Sequence, residues 1–204
     1  LSLHDALPIS YLGMELVDGG SLEDLRPRFG DVPWALHRLR DIARGLAFLH
    51  ERGVVHRDMK PANVLSSQAG AKITDFGIAQ QDFGPDVSPV GPTMARLTAT
   101  GALVGTLPYM APELIDGSRH ATAASDVFAF GLMAFEMLAG QPAFDVPPVL
   151  VARTGLPAPR ALPPELDPEL RRALTACLDV APAARPSGSA LAELLDRPAR
   201  APDR

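Results

Sequence analysis

The sequence has only two lysines, a single cysteine and no long uninterrupted apolar run. One cysteine, Cys177, cannot form an internal disulfide, and we interpret it as a small buried thiol. The longest apolar stretch, Val127–Gly140, is interrupted by Glu136 and is too short to span a bilayer, so a buried helix is expected there. There is no basic block and the net charge is −5, which argues against a nucleic-acid or anionic-membrane surface.

Length and composition are those of one soluble globular domain. Of the 204 residues, 47% are hydrophobic and 21% are charged, which allows a substantial core. Seventeen arginines stand against two lysines, and alanine and proline are abundant. This bias indicates a GC-rich, bacterial genome and carries no information on the chemistry.

The first ten residues match no motif or predicted element of the rest of the sequence. They are the in-frame translation of CTT TCC CTA CAC GAC GCT CTT CCG ATC TC, a sequencing-library adapter. We therefore interpret residues 1–10 as translated adapter and leave them, with His4 and Asp5, out of the fold and site arguments. The alternative is a natural N-terminal strand and turn, and genomic DNA that encodes these residues in place would support it.

Hydrophobic periodicity predicts a mainly α fold with small β elements. An apolar run of strand length, Tyr11–Val17, is followed by a turn and by a short helix from Ser21. Asp31 is predicted to cap a long helix that Gly53 ends. Further elements are expected at Val64–Leu65 and Lys72–Thr74 (strands) and at Pro112–Leu114, Ser125–Leu138, Asp167–Leu178 and Ser187–Leu195 (helices). Residues 80–105 show no legible element, and we interpret them as a long mobile loop.

Residues 56–63 read His-Arg-Asp-Met-Lys-Pro-Ala-Asn and place three chemically distinct side chains on one tight loop. Asp58 is suited to orient an acceptor hydroxyl and to take its proton. Lys60 can neutralise charge on a transferred phosphate, and Asn63 offers a neutral oxygen ligand for Mg²⁺. Each residue alone is more often a solvated loop residue, but the eight together are a specific pattern.

A second segment, Asp75-Phe76-Gly77, follows a predicted strand and lies twelve residues after Asn63. Asp75 can bind a hard cation at the end of the strand, Phe76 can be buried, and Gly77 permits unusual dihedral angles. The tripeptide is common by chance, but its spacing from the first loop across one predicted hairpin makes it informative.

A third segment, Gly105–Glu113, ends in Ala-Pro-Glu. With the two loops it makes the chain similar to the eukaryotic-type serine/threonine protein kinases. Ser125–Gly131 resembles the start of the large central helix of that fold. The resemblance implies a protein-kinase-like fold of which only the C-terminal (large) lobe is present, with the domain at residues 11–195 and a polar tail or linker start at 196–204.

The resemblance also implies roles for individual residues. Asp58 would be the catalytic base, Lys60 would contact the transferred phosphate, and Asn63 and Asp75 would hold Mg²⁺ beside ATP. Nucleotide contacts are implied at Met14 (gatekeeper), Glu15 and Val17 (hinge), Ser21 (where many members carry a longer glutamate towards the ribose) and Leu65 (under the adenine). For Met14 and Leu65, a role in the core is a compatible alternative. Structural roles are implied for His56, Arg57, Phe76, Gly77, Asp126 and the pair Glu113 and Arg185.

The same loops imply the substrate class. Lys60 and Thr106 follow the serine/threonine pattern, and Ile78 accompanies threonine rather than serine as acceptor in this family. Arg57 before Asp58 is typical of kinases that activation-loop phosphorylation switches on, with Thr98 and Thr100 as candidate sites. Ordinary polar loop residues are the alternative for these two threonines. The expected partners are ATP and protein substrates with Ser/Thr acceptors, together with a dimer for trans-autophosphorylation.

Three features that the family requires before the hinge cannot be identified in the sequence. A glycine-rich loop, a strand lysine and a helix glutamate are missing, since Lys72 lies on the wrong side of the catalytic loop. Gly101 and Gly105 lie in the activation segment with no following helix and are rejected as a phosphate loop. We therefore expect a kinase sequence truncated at its N-terminal lobe and inactive as written.

Two other interpretations of the sequence are a lobe-only binding module and a small-molecule phosphotransferase. A lobe-only binding module, like a pseudokinase, remains the alternative, although the presence of both Asp58 and Asp75 favours an active parent. A small-molecule phosphotransferase of related fold is disfavoured by Gly105–Glu113. The expected location is cytoplasmic, and a membrane anchor elsewhere in a full-length parent is compatible with it.

Overall fold

The computed structural model of the protein describes residues 15–75, 106–117 and 120–197. This part of the chain contains four α-helices: α1 (Val32–Glu51), α2 (Ala123–Ala139), α3 (Pro168–Ala176) and α4 (Gly188–Asp196). The sheet of the described ranges is one antiparallel hairpin, β1 (Val64–Ser67) and β2 (Gly70–Ile73). The predicted mainly helical fold with small β elements is therefore confirmed. Short 3₁₀ helices lie at Arg26–Arg28, Pro61–Asn63, Leu107–Tyr109, Pro112–Asp116, Pro148–Val151 and Pro182–Ala184.

Helix α1 begins and ends where the sequence predicts. The Asp31 carboxylate accepts a hydrogen bond from the Trp34 N–H at 3.1 Å, and Pro33 in the first turn has no N–H to satisfy. Gly53 follows the helix with φ of +71°, in the left-handed region that glycine enters at little cost. The buried face of α1 consists of Trp34, Ala35, Leu39, Ile42, Ala43, Leu46, Ala47 and Leu49.

Helix α2 is buried on nearly all sides, as its almost continuous apolar sequence predicts. It packs against α3 so closely at Gly131 that a Cβ atom there would lie 2.6 Å from Cys177 Cβ. Burial raises the pKa of the Cys177 thiol to about 12, as expected for a buried and unreactive cysteine. Within the described ranges, no helix combines the length and apolar character needed to cross a membrane.

The β1–β2 hairpin connects the two predicted catalytic segments. Its register pairs Val64 with Ile73 and Leu65 with Lys72. The Ala71 N–H donates to Asp41 Oδ2 on α1 at 3.1 Å, so the turn of the hairpin is attached to the longest helix. The second strand begins two residues earlier than predicted and ends at Ile73, because β-ladder bonding with Ser67 starts at Gly70.

Helices α3 and α4 complete the core and have side-chain N-caps. Asp167 accepts hydrogen bonds from the N–H groups of the first turn of α3, and Ser187 accepts one from the Ala190 N–H at 3.1 Å in α4. Helix α4 lies along α1, where Arg44 pairs with Asp196 at 2.7 Å. Both helices were predicted, with bounds within two residues.

Near the start of the described chain the structure differs from the sequence prediction. Residues 15–17 form no strand, because no described strand lies beside them to supply the hydrogen bonds. Ser21 begins a turn and not an α-helix. Its N–H and hydroxyl donate to Asp24 Oδ2, at 2.9 and 2.6 Å, but the backbone bonds that follow are of the i→i+3 type, such as Leu25 N–H to Leu22 O at 3.2 Å. Residues 1–10, which we interpret as adapter, residues 11–14, the predicted loop at 80–105 and the tail from 198 lie outside the described residues.

Candidate active site

The predicted catalytic loop, residues 56–63, and Thr106 of the predicted activation segment meet at Asp58. Its Oδ2 accepts hydrogen bonds from Lys60 Nζ at 2.8 Å and from Asn63 Nδ2 at 3.0 Å. Its Oδ1 accepts one from Thr106 Oγ1 at 3.1 Å. Lys60, Asn63 and Thr106 therefore all donate to the Asp58 carboxylate, although Thr106 lies 48 positions after Asp58.

Lys60 is held in the same cluster from two sides. Its ammonium group donates to Asp58 and also to Thr106 Oγ1 at 2.8 Å, so that the threonine hydroxyl accepts from the lysine and donates to the aspartate. The Asp58 side chain keeps 26% of its surface exposed, which leaves the carboxylate accessible to an incoming hydroxyl. The Asp58 carboxylate, which can accept a proton, and the Lys60 ammonium group therefore lie side by side at the surface.

His56 joins this loop to the end of β2. Its ring is fully buried, with Nε2 2.9 Å from the Thr74 carbonyl oxygen and Nδ1 3.3 Å from the Asp58 N–H. These partners assign the tautomer in which Nε2 carries the proton and donates, while Nδ1 accepts. The backbone before Asp75 is thereby fixed relative to Asp58.

Asp126, in the first turn of α2, holds the loop backbone. Its buried carboxylate accepts the N–H groups of His56 and Arg57, both at 2.8 Å, and faces His50 Nε2 at 2.9 Å. Arg57 has φ of +72°, a left-handed conformation that costs free energy for a residue with a side chain. The bonds to Asp126 offset that cost and turn the chain so that Asp58 faces the activation segment.

Two predicted cation ligands are available for Mg²⁺. Both amide hydrogen bonds of Asn63 use Nδ2, so its Oδ1 accepts none from a described residue. Asp75 lies two residues after the end of β2, is exposed, and has φ of +58°. No group of three or more His, Cys, Asp or Glu in the described ranges could hold a metal. One amide and one carboxylate fit Mg²⁺, which takes few protein ligands when phosphates complete its shell; Phe76 and Gly77 are outside the described residues.

The segment after the predicted hinge pairs with β1. Ser21 forms an isolated antiparallel bridge with Leu65, flanked by hydrogen bonds from Leu22 N–H to Val64 O and from Ser66 N–H to Gly20 O, both 2.8 Å. The structure therefore brings two of the predicted nucleotide contacts, Ser21 and Leu65, next to each other. The Ser21 hydroxyl is engaged by Asp24.

The two residues predicted for the hinge, Glu15 and Val17, lie at the start of the described chain. Glu15 is exposed and its carboxylate accepts from Lys72 Nζ at 2.5 Å, while Val17 is partly buried. Met14 lies outside the described residues, as do Ile78, Thr98 and Thr100. Their predicted roles remain predictions.

Glu113 and Arg185 form a bidentate ion pair, at 2.7 and 2.9 Å. The Arg185 side chain is fully buried, lies over the Phe128 ring and also donates to the Ala124 carbonyl at 2.9 Å. Burial, the largest single influence, raises the pKa of the Glu113 carboxyl, but the hydrogen bonds and charge of Arg185, together with hydrogen bonds from the backbone and Ser125, outweigh it and the net pKa is lowered. The pair attaches the end of the activation segment to the loop before α4.

A protein-family model described as the protein kinase domain matches residues 8–198. The chain belongs to the protein kinase family. The match covers every described element and the three motif segments, and it overlaps the last three residues of the segment interpreted as adapter.

Serine/threonine kinases of actinobacteria are similar to this kinase chain. PknA of Corynebacterium glutamicum is 41% identical over 137 residues, covering 66% of this chain and 27% of that protein. PknA of Mycobacterium tuberculosis is 38% identical over 181 residues, covering 86% and 39%. PknB of Mycobacterium leprae is 36% identical over 140 residues, covering 67% and 21%. The predicted membership in the bacterial serine/threonine kinases is confirmed, and the chain spans less than half the length of these relatives.

The kinase structure also shows polar contacts that the sequence did not predict. Tyr109 O–H donates to Glu136, and Arg26 bonds both, at 2.8 and 3.0 Å. Burial, and then the bond to Glu136, raise the pKa of the Tyr109 hydroxyl. Only the interruption of an apolar helix by Glu136 hinted at this cluster. His50 was missed because a histidine near a helix end carries no specific signal.

Proposed function

We propose that this chain carries the catalytic and acceptor-binding part of a kinase that transfers the γ-phosphate of ATP to Ser and Thr hydroxyls of proteins. The observation that carries the proposal is the cluster of Asp58, Lys60 and Thr106, with contacts of 2.8–3.1 Å between side chains from two separate loops. ATP, Mg²⁺, a cytoplasmic location and a dimer for trans-autophosphorylation are parts of the same proposal.

Asp58 orients the acceptor hydroxyl and takes its proton as the oxygen attacks phosphorus. Lys60, already beside that carboxylate, supplies positive charge where negative charge accumulates on the transferred group. Mg²⁺ bound to ATP would neutralise phosphate charge, with Asn63 Oδ1 and the Asp75 carboxylate as the protein ligands. Thr106 keeps Asp58 and Lys60 at fixed separation.

The surroundings of Thr106 support a polypeptide substrate. The 3₁₀ helix that follows it, Leu107–Tyr109, lines a cleft of about 280 Å³ together with residues 142–148. Thr106, which precedes this helix, contacts the Asp58 carboxylate, and Pro108 and Tyr109 of the helix line the groove. A chain that presents its hydroxyl at Asp58 can therefore rest against the groove.

Acceptor specificity tests the proposal. The purified full-length gene product is incubated with ATP, Mg²⁺ and three peptides that differ only in carrying Ser, Thr or Tyr at the acceptor position. Transfer is expected to Ser and Thr but not to Tyr, and faster to Thr if Ile78 has its expected role. Transfer to Tyr alone, or to none of the three, would contradict the proposed function.

We further propose that the 204 residues alone transfer phosphate poorly. The two lysines of the chain are Lys60, bonded to Asp58, and Lys72 on β2, bonded to Glu15, so neither is on a strand before the hinge. ATP binding and transfer by this chain, measured beside the full-length gene product, test the idea. Equal kcat in the two would contradict it.

A further inference from the structure

The groove that follows Thr106 is lined largely by apolar side chains. Leu132 of α2 and Phe144 line it and are buried, so they form its floor. Pro108 and Val146 line it and are exposed, so they form its rim. A concave surface with exposed apolar side chains is typical of a binding site.

Two carboxylates also line the groove, and the first of them, Glu136 of α2, already has partners. One of its oxygens accepts a hydrogen bond from Arg26 at 3.0 Å. The other accepts from the Tyr109 hydroxyl, to which Arg26 donates at 2.8 Å. Arg26 also pairs at 2.6 Å with Glu23, which does not line the groove. A second cation would therefore find both Glu136 oxygens in use and a guanidinium group beside them that repels it.

The second carboxylate, Asp145, is paired at the surface. It accepts a hydrogen bond from the Arg160 guanidinium group. Arg160 also donates to the Pro142 carbonyl at 2.7 Å through its side chain, and to the Ala143 carbonyl at 2.9 Å through its backbone N–H. Arg160 therefore holds this wall of the groove in place and balances the charge of its carboxylate.

We propose that the groove is a specificity site for the acceptor protein, and that it binds an apolar side chain near the phosphorylated residue rather than a charged one. Each carboxylate of the groove has an arginine partner, so a charged side chain would lose water without gaining a free partner. An apolar side chain gains free energy by leaving water. The proposal rests on the proposed function for the identity of the bound molecule.

The position of the groove favours a segment of the acceptor protein over a free small molecule. Thr106, whose hydroxyl lies 3.1 Å from Asp58 Oδ1, directly precedes the 3₁₀ helix Leu107–Tyr109 that lines the groove. One extended stretch of chain can therefore present a hydroxyl at Asp58 and a side chain to the groove. The volume of about 280 Å³ is just below the range of about 300–1,000 Å³ that is usual for small-molecule pockets.

A peptide scan tests the preference. A threonine peptide is varied at each flanking position in turn, with Leu, Ala, Arg or Glu. In the full-length gene product we expect a position at which Leu lowers KM by about fivefold to twentyfold relative to Ala, as partial burial of the side chain predicts. Arg and Glu at that position should bind no better than Ala, and kcat should change by less than about threefold.

Replacement of Val146 by aspartate adds an unpaired carboxylate to the rim of the groove. Val146→Asp should remove most of the preference for Leu and should lower KM for the Arg peptide by about twofold to fivefold, the usual effect of an exposed ion pair. Val180→Asp is the matched control. Val180 is 55% exposed, against 45% for Val146, and it does not line the groove. The control should keep the preferences of the parent.

Replacement of Arg26 by methionine tests the charge balance. In Arg26→Met the Glu136 carboxylate keeps the hydrogen bond from the Tyr109 hydroxyl but loses its cationic partner in the groove. The Arg peptide should then bind about threefold to tenfold more tightly than it binds the parent, because a peptide guanidinium can replace the missing one. A thermal melt confirms that the variant is folded.

The results separate the groove from the catalytic function. A preference for Leu that is lost in Val146→Asp and kept in Val180→Asp supports the proposal. It is overturned if Leu surpasses Arg by no more than about twofold at every position, if both aspartate variants behave alike, or if a folded Arg26→Met protein shows no gain for Arg. If the parent transfers phosphate to none of the peptides, the proposed function has failed. Fluorescence anisotropy of labelled Leu and Arg peptides on the parent and the two aspartate variants then decides the specificity of the groove.

Discussion

Replacement of Asp58 by asparagine is expected to lower kcat for phosphotransfer by about 10²–10⁴-fold, the usual contribution of a general base. The amide can still accept from Lys60 and Asn63 through its oxygen and can donate to the Thr106 hydroxyl through its nitrogen. The local bonds seen at 2.8–3.1 Å therefore have replacements, and the fold should persist. What is lost is the anionic oxygen that takes the proton.

The measurement is steady-state transfer to a threonine peptide by the full-length gene product, with a thermal melt of each variant. Glu169→Gln is the matched control, because it makes the same carboxylate-to-amide change at an exposed residue whose partner is the surface residue Arg197. The control should behave as the parent does. If Asp58→Asn kept kcat within about threefold of the parent, the base assignment would be refuted.

Replacement of Arg185 by methionine should destabilise the fold by about 3–5 kcal/mol, the range seen when one partner of a buried ion pair is removed. The side chain is fully buried and donates to both Glu113 oxygens and to the carbonyls of Ala124 and Asp179. Methionine fills much of the volume but removes the arginine's donors, so that of these acceptors only Glu113 Oε1 keeps a side-chain donor, the Ser125 hydroxyl at 2.9 Å. Chemical denaturation of this chain measures the change in the free energy of unfolding.

Two further variants serve as references for the loss of stability expected in Arg185→Met. Arg197→Ala removes an arginine whose pair with Glu169 is more than half exposed on both sides, and it should change stability by less than about 1 kcal/mol. Arg185→Lys keeps the charge but not the planar fork, so an intermediate loss is expected. A loss in Arg185→Met no larger than in Arg197→Ala would show that the buried pair does not hold the activation segment.

The ion pair of Glu113 and Arg185 also makes the free energy of unfolding depend on pH, in a direction that the pKa of Glu113 determines. The pKa of Glu113 in the folded protein is below its ordinary value of 4.5, so the unfolded chain binds this proton first as the pH falls. The stabilisation is therefore complete above about pH 4.5 and is lost as the pH drops from there through the folded pKa. Arg185→Met should show a shallower loss of stability in that range, and parallel curves for the two proteins would contradict the assignment.

Much of the fold was predictable because it depends on local patterns. The cap at Asp31, the stop at Gly53 and the all-round apolar sequence of α2 are short-range signals, and each was matched by the structure. The start of the described chain was not predictable in this way. A strand at Tyr11–Val17 needs a partner, and an apolar run cannot show whether a neighbour is there to pair with it.

For the site, the residue types and their order in the sequence determined which groups could act: Asp58, Lys60, Asn63 and Asp75 were all selected from spacing and chemistry. Only the tertiary structure decided how they are held. The contact between Thr106 and Asp58 crosses 48 residues, and that between His50 and Asp126 crosses 76. Such contacts leave no periodicity in the chain, because they depend on how α1, α2 and the hairpin pack, and so the support of the catalytic loop appeared only in three dimensions.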